Sequence, residues 1–362
     1  MGTHVTFGAG LLDGIGETAA GLGFRQALLV SDPGLPGQRD RTAALLLRAG
    51  ISVHLYDRFG VNPDSAMAEA GRAFAAPLGV DSIVALGGGS ALDAAKAINF
   101  LVTNGGRMQD YRGYGKARTP LLPSIGVPTT AGTGSEAQSY CVIADAESHM
   151  KMACGDPSAA FRAVILDPDL TASAPKAVRA AAGIDAAAHA IETWVTKRRS
   201  PVSRVLSREA WRLIEPALLP CIEEDDGEAV RTDMLLGAHL AGAAIEASML
   251  GAAHACANPL TARYGTAHGV ALGILVPHVV RWNAEVVGSD YDELGGADRV
   301  AKLVEDAASA AGFPSTLREL GAKEEDIPDL AMLAATQWTG TFNPRELGMA
   351  GAAEIYTLAY GK

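Results

Sequence analysis

Short apolar runs alternate with amphipathic helical patterns in the first half of the chain. Each run is short and bounded by turn residues or by a helical pattern, which predicts a buried strand. The predicted strands are Ala27–Ser31, Ser52–Tyr56, Ser82–Leu86, Ser124–Val127 and Ala163–Leu166. Helices are predicted between the early strands at Thr42–Ala49 and Ala66–Phe74. Strands that alternate with helices favour a parallel sheet built from βαβ units.

The pattern changes near Pro175, beyond which long Ala- and Leu-rich helical patterns dominate and strand signals almost disappear. The predicted helices are Val178–Thr196, Val202–Leu219, Glu228–Ala257 and Val270–Trp282. We therefore expect an α/β domain over residues 1–174, followed by an all-α domain over residues 175–362.

Composition narrows the class of protein. The 362 residues are 48% hydrophobic and 20% charged, which is typical of a soluble globular protein with a large core. The net charge of −11 disfavours binding to nucleic acid. No apolar run reaches the length of a membrane span, so we expect no membrane partner. We also expect no signal peptide. The four cysteines form no CxxC pair, so we expect free thiols and a cytoplasmic location.

A glycine-rich turn joins a predicted strand to a predicted helix at Gly87-Gly88-Gly89-Ser90. Glycines there would let the backbone approach a pyrophosphate, and the N–H groups of the helix N-terminus favour an anion. We expect Ser90 to cap this helix, with Asp93 completing a capping-box-like pair. A tight turn with only a structural role is the alternative.

Two further segments suit contact with a nucleotide. Asp32 ends the first of the predicted strands, where a carboxylate could accept both ribose hydroxyls of an adenosine and would repel a 2′-phosphate. A turn-forming Asp before Pro33 is the other interpretation. The second segment, Pro128–Glu136, is a cluster of Gly and Thr residues after a strand, and it could instead be a plain loop.

Four residues of the predicted helical domain form a candidate metal site. Asp185 and His189 are four residues apart, so they share one face of a predicted helix. His254 and His268 lie downstream. One carboxylate and three imidazoles suit Fe²⁺, Zn²⁺ or a similar ion, although each histidine taken alone is commonly a structural residue.

Taken together, these segments resemble the iron-containing alcohol dehydrogenase family, whose fold also includes glycerol dehydrogenase and dehydroquinate synthase. The resemblance covers nearly the whole chain in order. The matching segments are GGGSxxDxAKA at Gly87–Ala97, PTTAGTGSE at Pro128–Glu136, GxDAxxHAxE at Gly183–Glu192, a histidine at His254 followed by His268-Gly269, Val276-Pro277-His278 in place of LPH, and Asn343-Pro344-Arg345.

The resemblance implies an α/β N-terminal dinucleotide-binding domain with a parallel sheet and an all-α C-terminal metal-binding domain. It implies a metal-dependent, NAD(H)-linked alcohol dehydrogenase or aldehyde reductase that acts on a small alcohol or aldehyde. One divalent metal, Fe²⁺ or Zn²⁺, would be bound by Asp185, His189, His254 and His268. The implied cofactor contacts are Asp32, Asn62, Gly88, Gly89, Ser90, Asp93, Thr129, Thr130, Thr133 and Lys151.

The resemblance also bears on assembly and on a competing activity. Members commonly dimerise through an N-terminal strand, which suggests a homodimer formed through His4–Phe7. A lyase or cyclase of the dehydroquinate synthase type, which uses NAD transiently, is the alternative function. His189, four residues after Asp185, favours the alcohol dehydrogenase branch.

The chain departs from the family pattern at one functional position. Asn258 stands where many members carry a second histidine that is thought to touch substrate or relay a proton. We predict Asn258 and His268 as catalytic residues, although an amide cannot shuttle a proton near neutral pH. Arg263 is expected to be a surface or salt-bridging residue. If the helix breaks after Pro259, Arg263 could instead anchor an anionic substrate.

Overall fold

The computed structural model describes residues 2–223 and 227–361. The chain divides into two compact units. The first, the α/β unit, comprises Met1–Thr130 and Gly134–Ser173, and the second, the helical unit, comprises Ala131–Thr133 and Ala174–Lys362. The helical unit thus begins one residue before the boundary predicted from the sequence, and it also takes three residues of the PTTAGTGSE segment.

The α/β unit contains two sheets. Its strands are β1 (His4–Phe7), β2 (Gln26–Ser31), β3 (Ser52–Tyr56), β4 (Ser82–Gly87), β5 (Gly113–Tyr114), β6 (Ser124–Pro128), β7 (Tyr140–Ala144), β8 (Lys151–Gly155) and β9 (Ala163–Leu166). Six strands form a parallel sheet in the order β1-β9-β6-β4-β2-β3. The smaller sheet has the order β5-β8-β7, with β7 and β8 antiparallel.

In its described residues this unit has four α-helices: α1 (Ile15–Gly21), α2 (Pro36–Arg48), α3 (Ser65–Ala75) and α4 (Gly89–Asn104). The strands β2, β4 and β6 are fully or almost fully buried, which explains their continuous apolar runs. The helix predicted at Thr42–Ala49 begins six residues earlier, at Pro36. Proline suits the first helical position because its missing N–H would have no intrahelical partner there.

The order of the parallel strands creates a topological switch point. From β2 the chain continues to β3 on one side, whereas β4 pairs with β2 on the other side. Ligands of open α/β sheets bind at the carboxyl ends of the strands beside such a point. Asp32 and Gly87 lie at those ends. Gly87 has φ of +146°, and a Cβ there would lie only 2.9 Å from Asp32 Cβ and 2.7 Å from Ala91 Cβ.

The helical unit contains, in its described part, α5 (Lys176–Val195), α6 (Pro201–Ile222), α7 (Glu228–Glu246), α8 (Ala252–Tyr264), α9 (His268–Asp292), α10 (Ala297–Ala310), α11 (Ile327–Ala335) and α12 (Gly348–Tyr360). Among the described helices, α9 is long and apolar enough to cross a membrane. A core helix passes the same test, and 61% of the most apolar window of α9 is buried in the protein.

One predicted helix is wrong. The pattern at Glu228–Ala257 forms two helices, because α7 ends at Glu246 and α8 begins at Ala252. Gly251 has φ of −139° and ψ of −141°, which is not helical. The break is stabilised by side chains distant in sequence, since Asn343 Oδ1 accepts a hydrogen bond from Ala252 N. Local periodicity carries no information on such a partner.

Candidate metal centre and cofactor loops

The candidate metal centre is built on α5. Asp185 and His189 lie one helical turn apart, and His189 Nε2 is 3.2 Å from Asp185 Oδ1. Both residues are buried, with Asp185 6% exposed and His189 5% exposed. The alanines at 186–188 are fully buried as well. Small side chains on this helix therefore let other helices pack closely around the two polar residues.

The other two predicted ligands come from α8 and α9. His254 Nε2 lies 3.4 Å from Asp185 Oδ1, and His268 Nε2 lies 4.0 Å from the same oxygen. The His254 ring centroid is 4.9 Å from that of His189 and 5.2 Å from that of His268. The structure thus brings the ligand atoms of Asp185, His189 and His254 within 4.8 Å of one another, and His268 lies beside this group at 4.0 Å from Asp185 Oδ1.

A glycine allows α9 to come this close to α5. A Cβ built on Gly269 would lie only 2.1 Å from Ala181 O, so no larger residue fits without displacing the backbone. Gly269 directly follows His268. The close approach of the two helices therefore fixes where the imidazole of His268 lies relative to Asp185, which gives a physical reason for the His-Gly pair.

The donor set fits a bound metal ion. Asp185 Oδ1 and His254 Nε2 are buried, and among the described residues neither has a partner with the geometry of a hydrogen bond; the imidazole nitrogens of His189 and His254 lie 3.2 and 3.4 Å from Asp185 Oδ1. Buried polar atoms without partners are rare in native proteins, since each costs free energy. Two ligand atoms of a tetrahedral ion with bonds of about 2.1 Å stand about 3.4 Å apart. The spacings from Asp185 Oδ1 to His189 and His254 match this value.

Charge around the site follows from the same packing. Burial tends to raise the pKa of Asp185, but the imidazoles of His189, His268 and His254 outweigh it and hold that pKa below its usual range. Burial lowers the pKa of His189. Burial also acts to lower the pKa of His254, but the carboxylates of Glu192 and Asp185 outweigh it and raise the pKa to about 9. The imidazoles of the cluster are therefore arranged around the negative charges of the Asp185 and Glu192 carboxylates.

Two supporting residues were not predicted from the sequence. Glu192 is 3% exposed, and its Oε2 lies 2.5 Å from His254 Nδ1. Asn343 is 1% exposed and accepts hydrogen bonds from the first turn of α8 and from Asn283 Nδ2. A signal for Glu192 was present in the sequence, because it lies seven residues after Asp185 and so on the same helical face.

Asn258 and Arg263 also lie on α8, which continues through Pro259 to Tyr264. Asn258 is half-buried, one turn beyond His254, and its Nδ2 donates to Gln337 Oε1 at 3.2 Å. Arg263 forms ion pairs with Asp326 and, at 3.4 Å, with Asp329. The expectation of a salt-bridging Arg263 is confirmed, and the helix does not break after Pro259.

In the α/β unit, hydrogen bonds connect three of the predicted cofactor residues. Asn62 N donates to Ser90 Oγ at 3.2 Å, and Lys151 Nζ donates to Asn62 Oδ1 at 3.1 Å. Asn62 has φ of +55°, in the left-handed region that Asn tolerates better than most residues. Segments far apart in sequence therefore meet beside the first turn of α4.

The predicted cap of α4 is wrong. The helix begins at Gly89 with Gly88 as its N-cap residue, so Ser90 already lies inside the first turn. Asp93 instead accepts hydrogen bonds from Ser135 Oγ at 2.7 Å and from Val142 N at 3.2 Å. The helix approaches Thr130 closely, since a Cβ on Gly88 would lie 3.1 Å from Thr130 Oγ1. The N-cap position thus has no side-chain cap, and the missing side chain of Gly88 leaves the space that Thr130 occupies.

The remaining predicted cofactor residues lie at strand ends or in loops. Asp32 Oδ1 accepts a hydrogen bond from Gly34 N at 2.8 Å, so Asp32, which precedes Pro33, does form a turn. Thr129 N donates to Gly87 O at 3.0 Å and so ties the PTTAGTGSE segment to the end of β4. Thr133 belongs to the helical unit, whereas the other predicted contacts belong to the α/β unit.

Comparison with known proteins identifies the family. The sequence profile of iron-containing alcohol dehydrogenase matches residues 2–168, and that of the Fe-containing alcohol dehydrogenase family, C-terminal, matches residues 179–360. The chain therefore belongs to the iron-containing alcohol dehydrogenase family. It is 33% identical to lactaldehyde reductase of Escherichia coli over 375 residues, covering 98% of this chain and 97% of that protein.

Solved structures give the same result. The crystal structure of 1,3-propanediol oxidoreductase is similar with a TM-score of 0.94 and 32% identity, covering 98% of this chain and 97% of that one. Sulfoacetaldehyde reductase from Bifidobacterium kashiwanohense, in complex with NAD⁺, has a TM-score of 0.89 and 26% identity, covering 99% and 97%.

These comparisons confirm the predicted fold class and enzyme class. The protein is an oxidoreductase of the alcohol dehydrogenase and aldehyde reductase type, and the lyase alternative is not favoured. In the described residues, Asp185, His189 and His254 form a possible metal site, as expected for this family.

Proposed function

We propose that the protein transfers hydride between NAD(H) and a small alcohol or aldehyde, with one divalent metal, Fe²⁺ or Zn²⁺, held by Asp185, His189, His254 and His268. The observation that carries this proposal is the unsatisfied, buried Asp185 Oδ1, with three imidazole nitrogens within 4.0 Å of it. When bound, such an ion acts as a Lewis acid on the substrate oxygen. With a side-chain exposure of 27%, His268 is the most accessible of the four proposed ligands.

The cofactor site of this proposal lies at the switch point of the parallel sheet. Backbone N–H groups at Gly88 and Gly89 and the N-terminus of α4 suit a pyrophosphate. Asp32, at the end of β2, would accept the ribose hydroxyls, while Asn62, Ser90 and Lys151 form a rim already connected by hydrogen bonds. The remaining predicted contacts are Asp93, Thr129, Thr130 and Thr133.

Proton transfer is the step in which the chain departs from the family pattern. Asn258 can orient a substrate through its amide, which already donates to Gln337, but it has no proton to transfer near neutral pH. The proton exchanged with the substrate oxygen then comes from water, the cofactor ribose or a nearby hydroxyl. Arg263 has no part in substrate binding in this proposal, because its charge is paired with Asp326 and Asp329.

The direct test is a substrate screen. Protein reconstituted separately with Fe²⁺ and with Zn²⁺ is assayed for NADH oxidation with small aldehydes, including lactaldehyde and sulfoacetaldehyde, and for NAD⁺ reduction with alcohols such as 1,3-propanediol. These three compounds are chosen because they appear in the names of the relatives. We expect turnover that requires metal, and the more active metal identifies the ion. Equal turnover in metal-free protein would refute the proposed centre.

We further propose a cytoplasmic homodimer that pairs through β1. This strand is at the edge of the six-stranded sheet, and its Val5 and Phe7 side chains are 40% and 38% exposed. An exposed edge strand offers unpaired backbone groups to a second copy. The four cysteines, all of which the structure describes, are buried and form no disulfide bond with one another, as suits a reducing compartment. Light scattering that shows only monomer at micromolar concentration would contradict the dimer.

A further inference from the structure

Glu192 makes an unusual pair of contacts beside the metal centre. It lies on α5, two helical turns beyond Asp185, and it is buried. Its Oε2 is 2.5 Å from His254 Nδ1, and its Oε1 accepts a hydrogen bond from Ala253 N at 2.7 Å. Each carboxylate oxygen thus contacts one nitrogen of the first turn of α8.

Both of these partners act as donors when His254 binds a metal. An imidazole that coordinates through Nε2 carries its proton on Nδ1, and the Ala253 backbone N–H is always a donor. An ionised carboxylate can accept both hydrogen bonds, one on each oxygen. A glutamine has one acceptor oxygen and one NH₂ group, so one of the two donors would face another donor. The pair of contacts therefore requires a carboxylate.

The start of α8 has no cap of its own. Its N-cap residue is Gly251, which has no side chain, so the donors of the first turn are paired from elsewhere. Glu192 accepts from Ala253 N, and Asn343 accepts from Ala252 N at 3.1 Å. A Cβ on Gly251 would lie 3.1 Å from Glu192 Oε1 and 2.7 Å from Asn343 Oδ1. Glycine leaves the space in which both side chains reach the helix.

We propose that Glu192 is a positioning residue of the metal centre. It keeps the proton of His254 on Nδ1, directs Nε2 towards Asp185 Oδ1, and joins α5 to α8 so that ligands from both helices stay in place. This inference rests on the proposed metal site and adds to it a residue that touches neither metal nor substrate. Partners of this kind commonly change metal affinity 10- to 100-fold when they are replaced.

The test compares Zn²⁺ binding by the wild type, Glu192→Gln and Glu192→Asp, measured by competition with a chromophoric chelator. We expect Glu192→Gln to bind Zn²⁺ about 10- to 100-fold more weakly. Glu192→Asp keeps two acceptor oxygens and should retain more affinity than Glu192→Gln. A Glu192→Gln variant with wild-type affinity, or one that binds better than Glu192→Asp, would overturn the proposal.

A spectroscopic readout separates positioning from a merely structural role. In the zinc-loaded wild type, the His254 Nδ1 proton should give a strongly downfield NMR resonance, because it is donated to a carboxylate. This resonance should move upfield or disappear in Glu192→Gln. Its absence from the zinc-loaded wild type would refute the role of Glu192 even if the glutamine variant does not fold.

Tyr356→Phe is the matched control. Tyr356 is buried, and its hydroxyl donates to Cys256 O on α8 at 2.6 Å, so its loss also removes a hydrogen bond from this helix. We expect lower thermal stability with unchanged Zn²⁺ affinity, and an equal loss of affinity in this variant would make the Glu192 effect non-specific. If the wild type itself binds no Zn²⁺, the metal centre fails. If the wild type binds and Glu192→Gln binds equally, only the role of Glu192 fails.

Discussion

The candidate metal centre and the candidate cofactor loops are prepared for their ligands in opposite ways. In the α/β unit, Asn62, Ser90 and Lys151 already satisfy one another by hydrogen bonds. In the helical unit, Asp185 Oδ1 and His254 Nε2 are buried and lack such partners within the part of the chain that the structure describes. A buried, unsatisfied donor set identifies a missing ion strongly, whereas a satisfied loop reveals a ligand site mainly through topology and backbone conformation.

The difference follows from the kind of ligand each region takes. A dinucleotide is recognised largely by backbone N–H groups and strand ends, which exist whether or not the ligand is bound. A metal replaces hydrogen bonds with coordination bonds, so its ligands must leave their lone pairs free. Metal loading should therefore stabilise the helical unit markedly, and the variants below test how sharply the two regions differ.

The largest expected effect is that of Asp185→Asn. The substitution keeps the size of the side chain but removes the charge around which the imidazoles are arranged. Loss of the metal should lower kcat/KM by about a thousandfold or more. Metal analysis should show an empty site, while NADH titration should give an unchanged Kd because the predicted cofactor residues nearest the switch point lie in the other unit. Full metal occupancy in this variant would remove Asp185 from the centre.

Gly269→Ala should have the next largest effect. The new Cβ would overlap with Ala181 O at 2.1 Å, so the first turn of α9 must move and carry His268 away from Asp185. We expect a loss of about 1–3 kcal/mol in the free energy of unfolding, together with weaker metal binding.

Gly273→Ala, one turn further along α9, is its control. A Cβ there would lie 3.3 Å from Ala308 Cβ, a contact that small shifts can relieve. Metal affinity should therefore remain near that of the wild type. Equal losses of metal affinity in both glycine variants would show that the position of His268 does not depend on the contact with Ala181.

Asp32→Asn tests the cofactor region through charge alone. The amide oxygen of Asn can still accept the hydrogen bond from Gly34 N, so the turn should persist. We expect wild type to prefer NAD(H), because Asp32 would repel a 2′-phosphate, and the variant to lose about 10- to 100-fold of that preference. The measurement is the ratio of kcat/KM for NADH and NADPH, and equal use of both by the wild type would contradict the assignment.

The smallest expected effect is that of Arg263→Ala. Its ion pairs with Asp326 and Asp329 are partly exposed, and the Arg263 side chain is 37% exposed. Such pairs contribute about 1 kcal/mol or less. Relative kcat/KM for a charged and a neutral aldehyde of similar size should not change. A selective rise in KM for the charged aldehyde would restore Arg263 as a substrate anchor.

Much of the fold was predictable because the α/β unit is locally consistent. The strands Ser52–Tyr56 and Ala163–Leu166 were predicted with the bounds that the structure has. Buried parallel strands leave continuous apolar runs, which are easy to recognise. The break between α7 and α8 was missed because its cause, pairing with Glu192 and Asn343, lies far away in sequence.

The candidate site was predictable to the extent that its geometry follows from helical spacing. Asp185 and His189 share a face of one helix, and spacing alone predicts their contact. The contact between Glu192 and His254 was not predictable in this way, although Glu192 shares that helical face, since it depends on the packing of α5 against α8. Asp93 illustrates the same limit, because its partners Ser135 and Val142 are brought to it by tertiary structure and not by the capping pattern around it.

The position of β1 has a consequence for biosynthesis. This strand pairs with β9 in register, His4 with Ala163 and Phe7 with Leu166, so its neighbour in the sheet is made more than 150 residues later. At a translation rate of about 5–20 residues per second, the first strand waits roughly 8–30 s on the ribosome before that partner exists. During this interval its exposed apolar side chains have no sheet to join. A chaperone that binds apolar segments would therefore find β1 available throughout this interval.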